Sequence, residues 1–216
     1  RKTKPHYCFN MHDQRTIFSV GEENSPATIS FLAPSVDKKR TLTDGRKQTM
    51  EVIVSMNNLL QKFIPNQIGR YTDEFYPTAT GDNFQKMGHN TILVESGHFK
   101  NDYQREKTRK YTFFALLEGL SHIAFREKAS NYEDYFKIPN NEKLYLDVIL
   151  VDVIYEKNKI DIGILFEEIL KDKQLHFIPK VKIKGDLSNY NANRIVNDLS
   201  FPNENKLKKW LKNEFN

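Results

Sequence analysis

One cysteine in 216 residues, Cys8, excludes an intrachain disulfide and any zinc cluster built on paired thiolates. The fold therefore rests on packing, and a metal site has to draw on His and carboxylates. No apolar run approaches the roughly 20 residues that a membrane-crossing helix needs, so no membrane partner is expected. Blocks of like charge are also missing. Thirty-three Lys and Arg against 28 Asp and Glu leave a formal charge of +5, but the lysines are interleaved with acids. The densest basic run, Lys206, Lys208, Lys209 and Lys212, reads as a solvated helix face and not as a contact for nucleic acid. Neither an internal repeat nor a low-complexity segment is visible.

What is present is an ordinary globular composition, 38% hydrophobic and 28% charged, over a length that can bury a sizeable core. The chain starts at Arg1, directly before a motif-bearing segment, which is expected of a piece of a longer protein. Residues 6–12 and 27–33 read as strands, the second closed by Pro34. From Arg46 the period changes: Val52, Ile53, Met56, Leu59, Leu60 and Phe63 recur at helical spacing, and Pro65 stops the run. Residues 68–88 show little periodicity and read as an irregular pocket wall or surface loop. Tyr111, Phe114, Leu117, Leu120 and Ala124 then mark a second long helix.

Between the two helices lies Thr91-Ile92-Leu93-Val94-Glu95-Ser96-Gly97-His98. The apolar run is too short for a helix and delivers one carboxylate at its end. Strand interiors exclude charge unless something offsets the desolvation, which makes Glu95 the first candidate for chemistry, against the alternative of a solvated or salt-bridged strand terminus. His12 ends the first strand in the same way, and ligands of α/β sheets gather outside the carboxyl ends of strands.

The alternation of strands and helices predicts an α/β domain over residues 1–126, with a mixed, mostly parallel sheet flanked by helices. Residues 127–142 are polar and aromatic and read as a linker. Residues 143–216 predict a small β-rich appendage, with strands over 144–155, 159–164, 174–178 and 181–184, a short helix over 166–171 and a terminal helix over 206–215. Leu207, Trp210 and Leu211 mark the inner face of that last helix.

Taken together, Phe9-Asn10-Met11-His12-Asp13-Gln14-Arg15, Gly69-Arg70-Tyr71, Gly81-Asp82 and Thr91 to Gly97 resemble the C-terminal half of the catalytic domain of M14 zinc carboxypeptidases. The resemblance covers the first 126 residues or so and is closest to the bacterial branch with a His-Asp-Gln turn. It implies a metallopeptidase that hydrolyses a C-terminal peptide or related amide bond. It also implies His12 as one protein ligand of zinc and Glu95 as general base and acid. Three protein groups fix such an ion and leave the fourth position to a water whose pKa falls to near neutral. Glu95 would take that water's proton and pass it to the leaving amine.

The family also closes a mobile tyrosine over substrate. Tyr76 lies in the matching loop with Tyr71 nearby, and the sequence does not separate them. Asp82 sits where relatives shape the side-chain specificity pocket, and a carboxylate there would favour basic C-terminal residues; a Gly-Asp turn cap is the competing reading. His98 lies close enough in sequence to reach the same cleft.

The departure from the family is large. None of the six histidines begins the His-x-x-Glu pair that supplies the other zinc ligands, and the Asn-Arg pair for the substrate carboxylate has no counterpart, since Asn193-Arg194 falls in the appendage. The resemblance therefore implies a missing N-terminal half of the catalytic domain as a partner, with this chain alone inactive. The rival expectation is a non-catalytic interaction module derived from the same fold.

Overall fold

The structure is a computed structural model that describes residues 3–14, 17–23, 25–125 and 131–215. Arg15 of the strand-end motif and residues 126–130, where the expected domain ends and the linker begins, lie outside the described residues. The chain divides into two compact units, Arg1–Lys143 and Leu144–Asn216. The class is mixed α/β, with sheets of mixed direction and four α-helices among the described residues.

The first unit contains β1 (Tyr7–Asp13), β2 (Ser19–Val20), β3 (Ile29–Leu32), α1 (Asp44–Leu60), β4 (Ile68–Arg70), α2 (Thr80–Lys86), β5 (Asn90–Ser96), α3 (Glu106–Phe125) and β6 (Asn141–Glu142). Its main sheet has the order β1-β5-β3-β4. The pairs β1–β5 and β3–β4 are parallel, and β3–β5 is antiparallel. β5 is thus an inner strand. Ile92 and Val94 are fully buried and Leu93 nearly so, which is why its sequence is a continuous apolar run without alternation.

Thr43 starts α1 by accepting from the Arg46 amide at 3.3 Å. Met50, Ile53, Met56 and Leu60 form its buried stripe against the sheet. Asp102 prepares α3, its Oδ2 accepting from the Thr108 amide at 3.0 Å. The two helices lie close: a Cβ built on Gly119 would meet Met56 Sδ at 3.0 Å and the Phe9 ring at 3.1 Å. α3 is apolar around most of its circumference. Ala115 is buried in the core, while Phe113, Leu117, Leu120 and Phe125 are exposed.

Two expectations need correction here. The segment from 68 to 88 is more regular than its composition suggests, because it contains β4 and the two-turn α2. The expected linker is part of the first unit. Residues Tyr132–Lys137 form a 3₁₀ turn capped by Asn131, and the Tyr135 ring is wholly buried in the core with its hydroxyl accepting from the Ala33 amide at 3.1 Å. β6 then pairs antiparallel with β2. An aromatic residue inside a polar stretch served as a core anchor, which burial decides and local composition does not show.

The second unit contains β7 (Tyr145–Tyr155), β8 (Asn158–Lys171), β9 (Gln174–Gly185), β10 (Asn191–Val196), β11 (Ser200–Phe201) and α4 (Glu204–Phe215). The sheet runs β10-β7-β8-β9, with β11 also on β7. The short helix expected over 166–171 is the end of β8, and the two strands expected over 174–184 are one. Phe166, Glu168 and Leu170 pair with Pro179, Phe177 and Leu175. A tight turn at Asp172 and Lys173, both with positive φ (51° and 62°), folds β9 back onto β8. Leu165, Phe166, Ile169 and Leu170 recur at helical spacing, with Glu167 and Glu168 breaking any alternation, so pairing with β9 overrides the local pattern. Leu207 and Leu211 anchor α4, and Trp210 packs on Phe201 at 5.7 Å between ring centroids. Among the described residues no helix is long and apolar enough to cross a membrane.

Candidate functional site

β1 and β5 run side by side in the same direction, so their carboxyl ends coincide. The register pairs His12 with Glu95, and on the far side of β5 it pairs Glu95 with Ser30 and Ser30 with Gly69. One row across four strands therefore carries an imidazole, a carboxylate, a hydroxyl and a glycine. The glycine has a steric reason: a Cβ at Gly69 would lie 2.0 Å from Asn141 Oδ1. Asn141 occupies that space, with its amide nitrogen 3.0 Å from Ser30 Oγ.

His12 Nδ1 lies 3.6 Å from Glu95 Oε1, a neighbour in the same field at more than hydrogen-bond length. The His12 side chain is 51% exposed and that of Glu95 only 13%. Burial pushes the Glu95 carboxyl above its ordinary range, His12 pulls it down and Asp13 pushes it up again. The arrangement is a largely desolvated carboxylate beside an accessible imidazole, which is suited to taking a proton from a water held at the same strand ends.

Behind the row stands a tyrosine. The Tyr71 hydroxyl donates to Gln14 Oε1 at 2.5 Å and receives a hydrogen bond from the Asn141 amide. Burial, and then the charge of Glu95, push the Tyr71 pKa far above its ordinary value, so the phenol stays protonated. Gln14 is itself buried, and its backbone amide donates to the Ser96 carbonyl at 2.9 Å. Gly97 leaves room for this packing, since a Cβ there would meet the Ala27 carbonyl oxygen at 2.0 Å.

Of the residues singled out by sequence, His12 and Glu95 are brought together. Tyr76 is 51% exposed, and its hydroxyl rests on Glu74 Oε2 at 3.2 Å. Asp82 is 4% exposed, lies in the first turn of α2 and accepts from the Tyr76 amide at 3.1 Å. His98 is buried, and its carbonyl accepts from Thr28 Oγ1 at 2.8 Å. Gln14 belongs to the His-Asp-Gln turn, whereas Ser30 and Asn141 carry no motif of their own. The sequence signal for Asn141 is the glycine opposite it, which only the register reveals.

The raised pKa of Glu95 has a consequence for stability. A carboxyl whose folded pKa exceeds its unfolded value of about 4.3 binds its proton more tightly in the folded state. Its contribution is thus fully present below that value and is lost as pH rises through the folded pKa. The Glu95→Gln variant, which has no such proton, is expected to gain stability relative to the parent as pH rises through that window. Parallel urea titrations of the two chains from acid to neutral pH check this; a difference constant with pH would contradict it.

As for a metal, the residues of this chain supply His12 with Glu95 beside it, whereas a catalytic zinc site takes three protein donors. Among the described residues no three His, Cys, Asp or Glu side chains gather closely enough to hold an ion. The donor set among the described residues does not fit a complete zinc site. In comparison with known protein families, characterised proteins and solved structures, no family model, protein or structure matched the chain.

Proposed function

We propose that the first unit is the C-terminal part of a zinc carboxypeptidase-like catalytic domain, which hydrolyses a C-terminal peptide or related amide bond once its upstream half is joined to it. The observation that carries this is the strand-end pair: the Glu95 carboxylate, largely desolvated, next to the exposed His12 imidazole on a parallel neighbour. The order of the motifs along the chain supports the same reading. In it Glu95 is the general base and His12 is one metal ligand.

The surfaces of the first unit agree with an absent half. Among the described residues β1 is an edge strand with β5 as its neighbour in the sheet, so one row of its backbone groups is unpaired. Along the helix layer, Leu59, Phe63, Phe114, Leu117, Leu120 and Phe125 line an open apolar groove of about 630 Å³. Upstream strands and helices would cover both.

Metal analysis tests the reading. After dialysis against zinc-free buffer this chain alone is expected to retain no stoichiometric zinc, because one imidazole gives weak affinity. A longer chain that includes its natural upstream sequence is expected to keep one zinc per molecule, to lose it on His12→Ala, and to release C-terminal residues from peptides. Undiminished zinc after His12→Ala would remove His12 from the site. A longer chain with neither zinc nor peptidase activity would favour the non-catalytic interaction module.

A further inference from the structure

We propose that Arg105 is a positioning residue whose guanidinium clips the end of β1 to the end of β5 and so fixes the placing of His12 against Glu95. The proposal rests on the reading of those two residues given above. Arg105 Nη2 lies 2.5 Å from Asp13 Oδ1 and 2.5 Å from the Ser96 carbonyl oxygen. Asp13 and Ser96 are themselves a register pair, the rung directly after His12 and Glu95. One nitrogen therefore holds the last rung of the ladder from the side.

Several features separate this contact from an incidental surface ion pair. The Arg105 side chain is only 17% exposed, and one of its acceptors is a backbone carbonyl that also takes the Gln14 amide at 2.9 Å. Arg105 Nε is buried with no hydrogen-bond partner among the described residues, a desolvation that a freely solvated arginine avoids. Its backbone is left-handed, φ 63°, a conformation that disfavours side chains other than glycine and, less strongly, asparagine or aspartate. Strain of this kind persists where the surroundings over-determine it, often at functional sites. In this chain the mechanical need is also plain, because among the described residues β1 is an edge strand and its end would fray without a tie.

Arg105→Gly makes the proposal testable, since glycine suits the backbone at φ 63° and the variant is expected to fold. In this chain, amide hydrogen exchange at Gln14 is expected to quicken about tenfold, the scale of one lost charge-assisted hydrogen bond, with the β3–β4 amides unchanged. In the longer chain, kcat is expected to fall about ten- to a hundredfold with KM little changed, as for a small misplacement of reacting groups. Added guanidinium ion is expected to restore part of that loss.

Unchanged Gln14 exchange would overturn the clip. A kcat within about twofold of the parent, in a longer chain that Glu95→Gln inactivates, would overturn the positioning role while leaving the reading of Glu95 intact. If the parent longer chain itself releases no residue, the underlying reading fails and the positioning role falls with it, while faster exchange would show Arg105 to be a strand tie only.

Discussion

In a chain joined to its upstream sequence, Glu95→Gln is expected to lower kcat for release of a C-terminal residue by about a hundred- to ten-thousandfold, the usual worth of a positioned general base. KM is expected to stay close to the parent value, because the amide keeps the shape of the carboxyl group and removes only its basicity. The geometry explains why the loss should be large. The Glu95 side chain is 13% exposed and burial holds its pKa up, so it is more basic than a solvated carboxylate while remaining beside the one accessible imidazole of the row. Gln has no proton-accepting oxygen of comparable basicity at any pH in the working range.

The neighbours sharpen this expectation. Ser30 lies opposite Glu95 across β3 and β5, and Tyr71 donates its proton to Gln14, so neither offers an alternative base. Steady-state kinetics on a peptide with a free C-terminus, with circular dichroism to show that the variant folds, would measure the effect. The general-base role is falsified if Glu95→Gln keeps a kcat within about tenfold of the parent.

The parts of this arrangement that were legible in the sequence are those with a local cause. β1, β3 and β5 announce themselves by apolar runs that end in charge, proline or glycine, and α1 by the helical spacing of Val52, Ile53, Met56 and Leu60. The meeting of His12 and Glu95 is of another kind. The two residues are far apart in sequence, and their contact depends on β1 choosing β5 as its parallel partner and on the register of that choice. Asn141 and Tyr135 were hidden because the polar stretch around them has the composition of a linker, although one fills the space above Gly69 and the other anchors the core. The strand end at Phe166–Lys171 was hidden because its apolar spacing is helical, and only its long-range pairing with β9 makes it a strand. Arg46 and Arg105 were passed over for a common reason: arginine on or before a helix is ordinarily solvated, and nothing local marks the one that is buried.

Arg46 supplies the largest stability effect expected of this chain. Its side chain is 1% exposed, the deepest charge in the first unit's ion pairs among the described residues, and it is held on three sides. Nη2 lies 2.5 Å from Asp73 Oδ2, Nε donates to the Ala33 carbonyl at 3.2 Å and Nη1 to the Arg40 carbonyl at 2.9 Å. Asp73 is 13% exposed and also meets Arg40 Nη1 at 3.3 Å, so it neutralises two guanidinium groups. Removing it by Asp73→Ala leaves the Arg46 charge buried with two carbonyl acceptors and without its ion-pair partner, the Asp82 carboxylate acting on it only through the field. Such uncompensated burial costs about 3–5 kcal/mol. Replacing both partners, as in Arg46→Met with Asp73→Ala, removes the stranded charge and is expected to recover much of that loss, since a buried pair is worth little more than an apolar fill of similar volume. The consequence reaches the site, because Asp73 lies between Tyr71 and Tyr76 and its carbonyl accepts from Ser35 Oγ at 2.5 Å. This segment is thereby pinned to the chain just beyond β3. Urea unfolding followed by far-ultraviolet circular dichroism would report the effect. A single Asp73→Ala variant within about 1 kcal/mol of the parent would show that Arg46 finds solvent or another anion when its partner is gone, and that the pin does not hold the tyrosine segment.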